Sequence, residues 1–135
     1  MKNILILILS FYGTFLFAQN PVLGKVYRTK ISESCSRTTT GGFMTYSYSQ
    51  FEFTKDSVTI KYFSKNSDSP SEDVLIIKNI YFIKNGYIMI QKGNNKNPVY
   101  TELKITPAAL LAKSPYEPDT MIWLIENPAI KPKGY

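Results

Sequence analysis

Apolar and polar residues alternate one by one in segments of this chain such as residues 58–62, the period of a strand with one face buried and one face wet. Tyrosine, phenylalanine, isoleucine, valine and threonine, the residue types that suit a pleated surface, dominate it. The pattern predicts strands over residues 23–31, 43–53, 58–63, 74–84, 87–92, 99–105 and 121–126, with polar loops over 32–42 and 64–72. Two hairpins can be registered. A turn at Thr54-Lys55-Asp56-Ser57 sets Phe53 against Val58, Phe51 against Ile60 and Ser49 against Tyr62 on one face. It sets Glu52 against Thr59 and Gln50 against Lys61 on the other, which should be wet. Asn85-Gly86 is the sharper signal, because a type I′ turn needs positive φ at both central residues. It gathers Tyr81, Ile83, Ile88 and Ile90 on one buried face, while Glu102 and Lys104 of the next strand should meet solvent.

The opposite face of that hairpin carries Ile80, Phe82, Tyr87 and Met89, which is too apolar to be wholly wet, so something should cover it. The candidate cover is a short helix over residues 106–113, with Thr106 as cap, Pro107 at the tolerated first position and Pro115 beyond its end. At about two turns it depends on docking Leu110 and Leu111 rather than on propensity. The last strand has Met121, Trp123 and Ile125 on one side and Ile122 and Leu124 on the other, a pattern for burial on both faces. Residues 127–135, proline-rich and basic, read as a loose terminus. The expected fold class is mainly all-β: an antiparallel meander of seven to eight strands, curled into a small barrel or half-barrel, with one short helix near the C-terminus. A β-sandwich is the alternative, since periodicity does not specify sheet closure.

The chain opens differently. Lys2 precedes an apolar run over residues 4–17 that ends at Ala18, just before Gln19-Asn20-Pro21. A basic start, an apolar middle and a small residue at the end mark a secretory signal peptide over residues 1–18, with the mature chain beginning at or next to Gln19. Ser10, Gly13 and Thr14 interrupt the run, which falls short of the about 18 apolar residues a spanning helix needs. No cysteine follows it directly, so no lipid anchor is expected. The expected location is the periplasm or the cell exterior, with no integral membrane segment after cleavage. Residues 19–135 then make a single β domain.

The formal net charge is +6, but the lysines are scattered singly, as on a solvated face or a guarded sheet edge, and no nucleic-acid partner is expected. The chain has no histidine, which removes the base of Ser-His-Asp and Cys-His catalysis and the usual nitrogen ligand of zinc. Its single cysteine, Cys35, rules out an intrachain disulfide and a cysteine-cluster metal site. The acidic residues are spread without a spacing that singles out a pair, and Gly41-Gly42 is an isolated doublet rather than a phosphate loop. No catalytic residue, metal or cofactor is expected, and the chain reads as a non-enzymatic protein.

Gly24-Lys25-Val26-Tyr27 in the first strand, followed by a long loop and then hairpins, resembles the Gly-x-Trp opening of lipocalin-type barrels, with tyrosine in the tryptophan position. The chain departs from that family in its shorter length, its brief late helix and its lack of paired disulfide cysteines. The resemblance implies an exported barrel whose mouth holds a small apolar or amphipathic ligand under the first loop. Tyr46 and Tyr62 would contact it near the strand ends, with Arg28 or Arg37 available for a carboxylate or other anion. Two other readings stand beside it. A barrel of about eight strands can instead be filled by its own side chains, and would then act through its surface on an envelope protein. Alternatively, Tyr46, Tyr48, Tyr87, Tyr100 and Tyr116, with Arg28, Arg37 and Lys84, could stack on glycans or bind polyanions.

Overall fold

The computed structural model describes residues 20–69, 71–93, 96–114, 117 and 119–129. The expected signal peptide over residues 1–18, the expected mature start at Gln19, Tyr116 and residues 130–135 lie outside them. Eight antiparallel strands follow in chain order: β1 (Val26–Thr38), β2 (Gly41–Phe53), β3 (Ser57–Asn66), β4 (Glu72–Lys84), β5 (Tyr87–Lys92), β6 (Val99–Ile105), β7 (Ala109–Lys113) and β8 (Met121–Glu126). Each pairs with the next, and β8 returns to β1 through Tyr27↔Glu126 and Arg28↔Ile125, closing the sheet into a barrel.

Both registered hairpins form. Phe53 opposes Val58, Phe51 opposes Ile60 and Ser49 opposes Tyr62, while Ile83 opposes Ile88 and Tyr81 opposes Ile90. Asn85 and Gly86 take φ of 53° and 78°, the left-handed pair that the turn requires. The start of β1 differs from expectation. Residues 20–25 form tight turns instead of strand, with Gly24 at φ 70° and its N–H on the Phe53 carbonyl, and this folds Val22 into the core at the barrel's base.

The short helix over 106–113 is not there. Thr106 and Ala109 close a tight turn, with the Thr106 N–H on the Ala109 carbonyl at 3.0 Å and the Ala109 N–H on Thr106 Oγ1 at 3.1 Å. The residues after it become β7, where Leu110 pairs with Ile105 on one side and Leu124 on the other. Threonine followed by proline starts a β-turn as readily as a helix. Here a strand satisfies the backbone on both sides and joins β6 to β8.

Buried apolar side chains occupy the interior. Tyr27, Phe51, Phe53, Val58, Ile60, Ile88, Ile90, Leu103, Leu110 and Leu124 converge from seven strands, with Val22 beneath them. Phe53 is the hub, meeting Tyr27 edge-on at 5.8 Å between centroids and Tyr81 edge-on at 5.2 Å. The Tyr81 hydroxyl donates to the Thr54 carbonyl and accepts from Asn20 Nδ2, both at 2.7 Å, so it ties the base turns to the core. Burial, with Glu126 adding to it, pushes the Tyr27 phenol up to about 12.

Several expected faces are reversed. Ile83 is exposed although Tyr81, Ile88 and Ile90 pack inward, and without the helix Ile80, Phe82 and Tyr87 lie open as well. The outer side of β8 is exposed too: Met121, Trp123 and Ile125 face solvent while Leu124 is buried. Glu52, expected to be wet, is 5 % exposed.

Candidate functional site

The two halves of the barrel have unequal strands. β1, β2 and β4 run 13 residues each and β3 runs 10, whereas β5 to β8 run 5 to 7. The long strands therefore continue past the barrel as a four-stranded sheet. β1 pairs with β8 at Tyr27 and Arg28, and β4 pairs with β5 from Tyr81 onward. Beyond those points each outer strand of the extension keeps one paired edge.

Two expected loops make up this extension. The polar loop over 32–42 is instead the paired end of β1 and β2, with a turn at Thr39-Thr40, and the loop over 64–72 shrinks to a turn between β3 and β4. Cys35 thus lies in a strand, opposite Met44, and is exposed. One irregularity breaks the β1 ladder: a bulge between Lys30 and Ser32 leaves Ile31 as the extra residue. Ile31, Tyr48, Tyr62, Phe63, Val74 and Leu75 help to line an open groove of about 520 Å³.

The predicted ligand contacts do not meet at one mouth. Pairing places Arg28 beside Gln50, which lies between it and Lys61, and Tyr46 between Glu33 and Lys65, on the sheet face opposite to that of Tyr62. Tyr62 pairs with Ser49 and Leu75 and packs at the edge of the core. Arg37 is exposed at the hairpin tip, opposite Gly42.

Arg28 is engaged within the sheet. Its guanidinium lies 5.2 Å from the Phe63 ring centroid and 5.8 Å from that of Tyr48, and its Nε donates to Gln50 Oε1 at 3.1 Å. Gln50 Nε2 donates to Glu52 Oε1 at 2.7 Å, and the Lys61 ammonium bonds the same oxygen. The chain Arg28–Gln50–Glu52–Lys61 satisfies two side chains that are only 3 % and 5 % exposed, Gln50 and Glu52. It is a structural network rather than an open anion receptor.

What sequence reading missed is the β4 side of the extension. Val74, Leu75, Ile76 and Ile77 are 45, 60, 59 and 40 % exposed, four consecutive apolar residues that alternate between both faces of the sheet. A run of this kind fits a strand buried on both sides, yet here the residues of both faces are 40 to 60 % exposed. Strand length carried the signal, because a predicted β4 of eleven residues against a β5 of six cannot be fully paired on both edges. Among the described residues no group of three Cys, Asp or Glu side chains is placed to hold a metal ion, and no helix is long and apolar enough to cross a membrane. No family model, curated protein or solved structure matches this chain.

Proposed function

We propose that the chain is an exported, non-enzymatic binding module that acts through its surface, taking an apolar or amphipathic partner on the β1–β4 extension rather than inside the barrel. The observation that carries this reading is the contrast between the two parts. The barrel interior is occupied by Phe53, Ile88, Ile90, Leu103, Leu110 and Leu124, all fully buried, whereas the extension leaves a contiguous apolar run in solvent. Exposed apolar patches rimmed by polar groups mark interaction sites. Lys65, Glu72 and Asp73 rim this one. A lipocalin-like ligand role survives in altered form, with an acyl chain lying along the groove between Ile31 and Leu75 instead of filling a calyx.

Methyl-resolved NMR during titration with a medium-chain fatty acid tests this directly. Shifts confined to Ile31, Val74, Leu75, Ile76 and Ile77 are expected. Shifts centred on Ile88, Ile90, Leu103 and Leu110 would instead locate the ligand inside the barrel and overturn the reading.

A further inference from the structure

Among the described residues the extension has two unpaired edges, and their chemistry differs. On β1 the edge past Arg28 reads Thr29-Lys30-Ile31-Ser32-Glu33-Ser34-Cys35-Ser36-Arg37-Thr38, with a bulge in it. Charges and bulges are how sheets discourage pairing with another chain. On β4 the edge over residues 72–80 reads Glu72-Asp73-Val74-Leu75-Ile76-Ile77-Lys78-Asn79-Ile80, regular throughout its pairing with β3. Its central four residues carry no charge. One edge is guarded and the other is an open template for a strand.

We propose that a second copy of this chain fills the β4 edge, the two β4 strands pairing antiparallel about a two-fold axis at Leu75. The charges select this occupant and this register. Such an axis stands perpendicular to the sheet, so facing residues must share a face and their numbers must sum to an even value. With Leu75 opposite the partner's Leu75, Val74 faces the partner's Ile76, and Glu72 faces the partner's Lys78, twice by symmetry. Moving the axis to Ile76 sets Lys78 against the partner's Val74 and Glu72 against the partner's Ile80. Moving it to Val74 leaves Glu72 facing the partner's Ile76. Only the Leu75 register sets Lys78 against an opposite charge, the partner's Glu72, while Asp73 faces the partner's Ile77; cross-strand charge pairs set register more than they add affinity. The room also fits: this register uses residues 72–78, and β5 begins to pair only at Tyr81.

The interface is isologous and closes at two copies, because among the described residues the other open edge of the extension is the guarded one of β1. The result is a continuous eight-stranded sheet joining two barrels. This proposal concerns the edge of β4 and does not depend on what the faces bind, so it stands or falls separately from the proposed function.

Sedimentation equilibrium of the purified protein under reducing conditions tests it. A reversible dimer is expected. Lys78→Glu, which sets glutamate against the partner's Glu72, should weaken it by at least about tenfold. The double exchange Glu72→Lys with Lys78→Glu should restore it, which a merely damaged fold would not allow. In a Cys35→Ser background, oxidised Leu75→Cys should cross-link to itself, and Ile80→Cys should not. A wild-type monomer at about millimolar concentration, a dimer indifferent to Lys78→Glu, or open-ended oligomers would each overturn the proposal. Fatty-acid shifts that persist in monomeric Lys78→Glu protein would separate the face from the edge.

Discussion

Phe53→Ala is expected to cost about 3 to 5 kcal/mol of folding stability, the range for removing a fully buried aromatic side chain. Phe53 is fully buried and stands between the Tyr27 and Tyr81 rings. Truncation removes two edge-to-face contacts, each worth about 0.5 to 1.5 kcal/mol beyond area burial, and leaves a void. Relaxation into that void is limited. The Phe53 carbonyl and N–H are held by Gly24 and Lys25, and Tyr81 is pinned by Thr54 and Asn20. Urea denaturation checks the value, with Phe53→Leu as the milder control. A loss below about 1 kcal/mol would mean that the barrel base is loosely packed.

Lys61→Met is expected to be about as damaging, at about 3 to 5 kcal/mol, through electrostatics rather than volume. Lys61 and Glu52 form an ion pair whose side chains are 19 % and 6 % exposed. Methionine keeps most of the apolar stem but leaves the Glu52 carboxylate buried with only the neutral Gln50 amide bonded to it. An unpaired buried charge costs far more than the pair contributes, so Lys61→Met combined with Glu52→Gln should recover most of the loss. Denaturation of the two single variants and the double variant gives the coupling. Additive effects, or a single-variant loss below about 1 kcal/mol, would show that water reaches Glu52.

Alternation reveals a strand when its two faces meet different surroundings, and the parts of this fold legible from it are those where they do. The turn at 54–57 and the pairing of Phe51 with Ile60 follow from one wet and one dry face, whereas Asn85-Gly86 is legible from turn chemistry and β8 from its unbroken apolar run. The extension breaks that condition. Ser32 to Thr38 are polar on both faces and read as a loop, while Val74 to Ile77 are apolar on both faces and read as strand without showing that either side is open. With the end of β1 taken for a loop, its pairing to β2 was hidden, and so was the fact that Arg28 and Tyr62 face opposite ways. Thr106-Pro107 failed for another reason: a helix start and a tight turn share those residues, and five residues of β7 are too few for periodicity to decide. Glu52 shows that register assigns a side chain to a face without saying what screens that face.

Amide hydrogen exchange, resolved by residue on Lys78→Glu protein, is the most direct measurement of whether a closed barrel with an apolar core carries an open sheet. Slow exchange is expected throughout the barrel strands, at Ile88, Ile90, Leu103 and Leu110, as for core ladders paired on both sides. Within residues 72–80 every second amide should exchange fast, because antiparallel pairing with β3 alone occupies alternate N–H groups. Uniform protection across residues 72–80 would mean that the β4 edge is already covered within one chain, and the open extension would have to be abandoned.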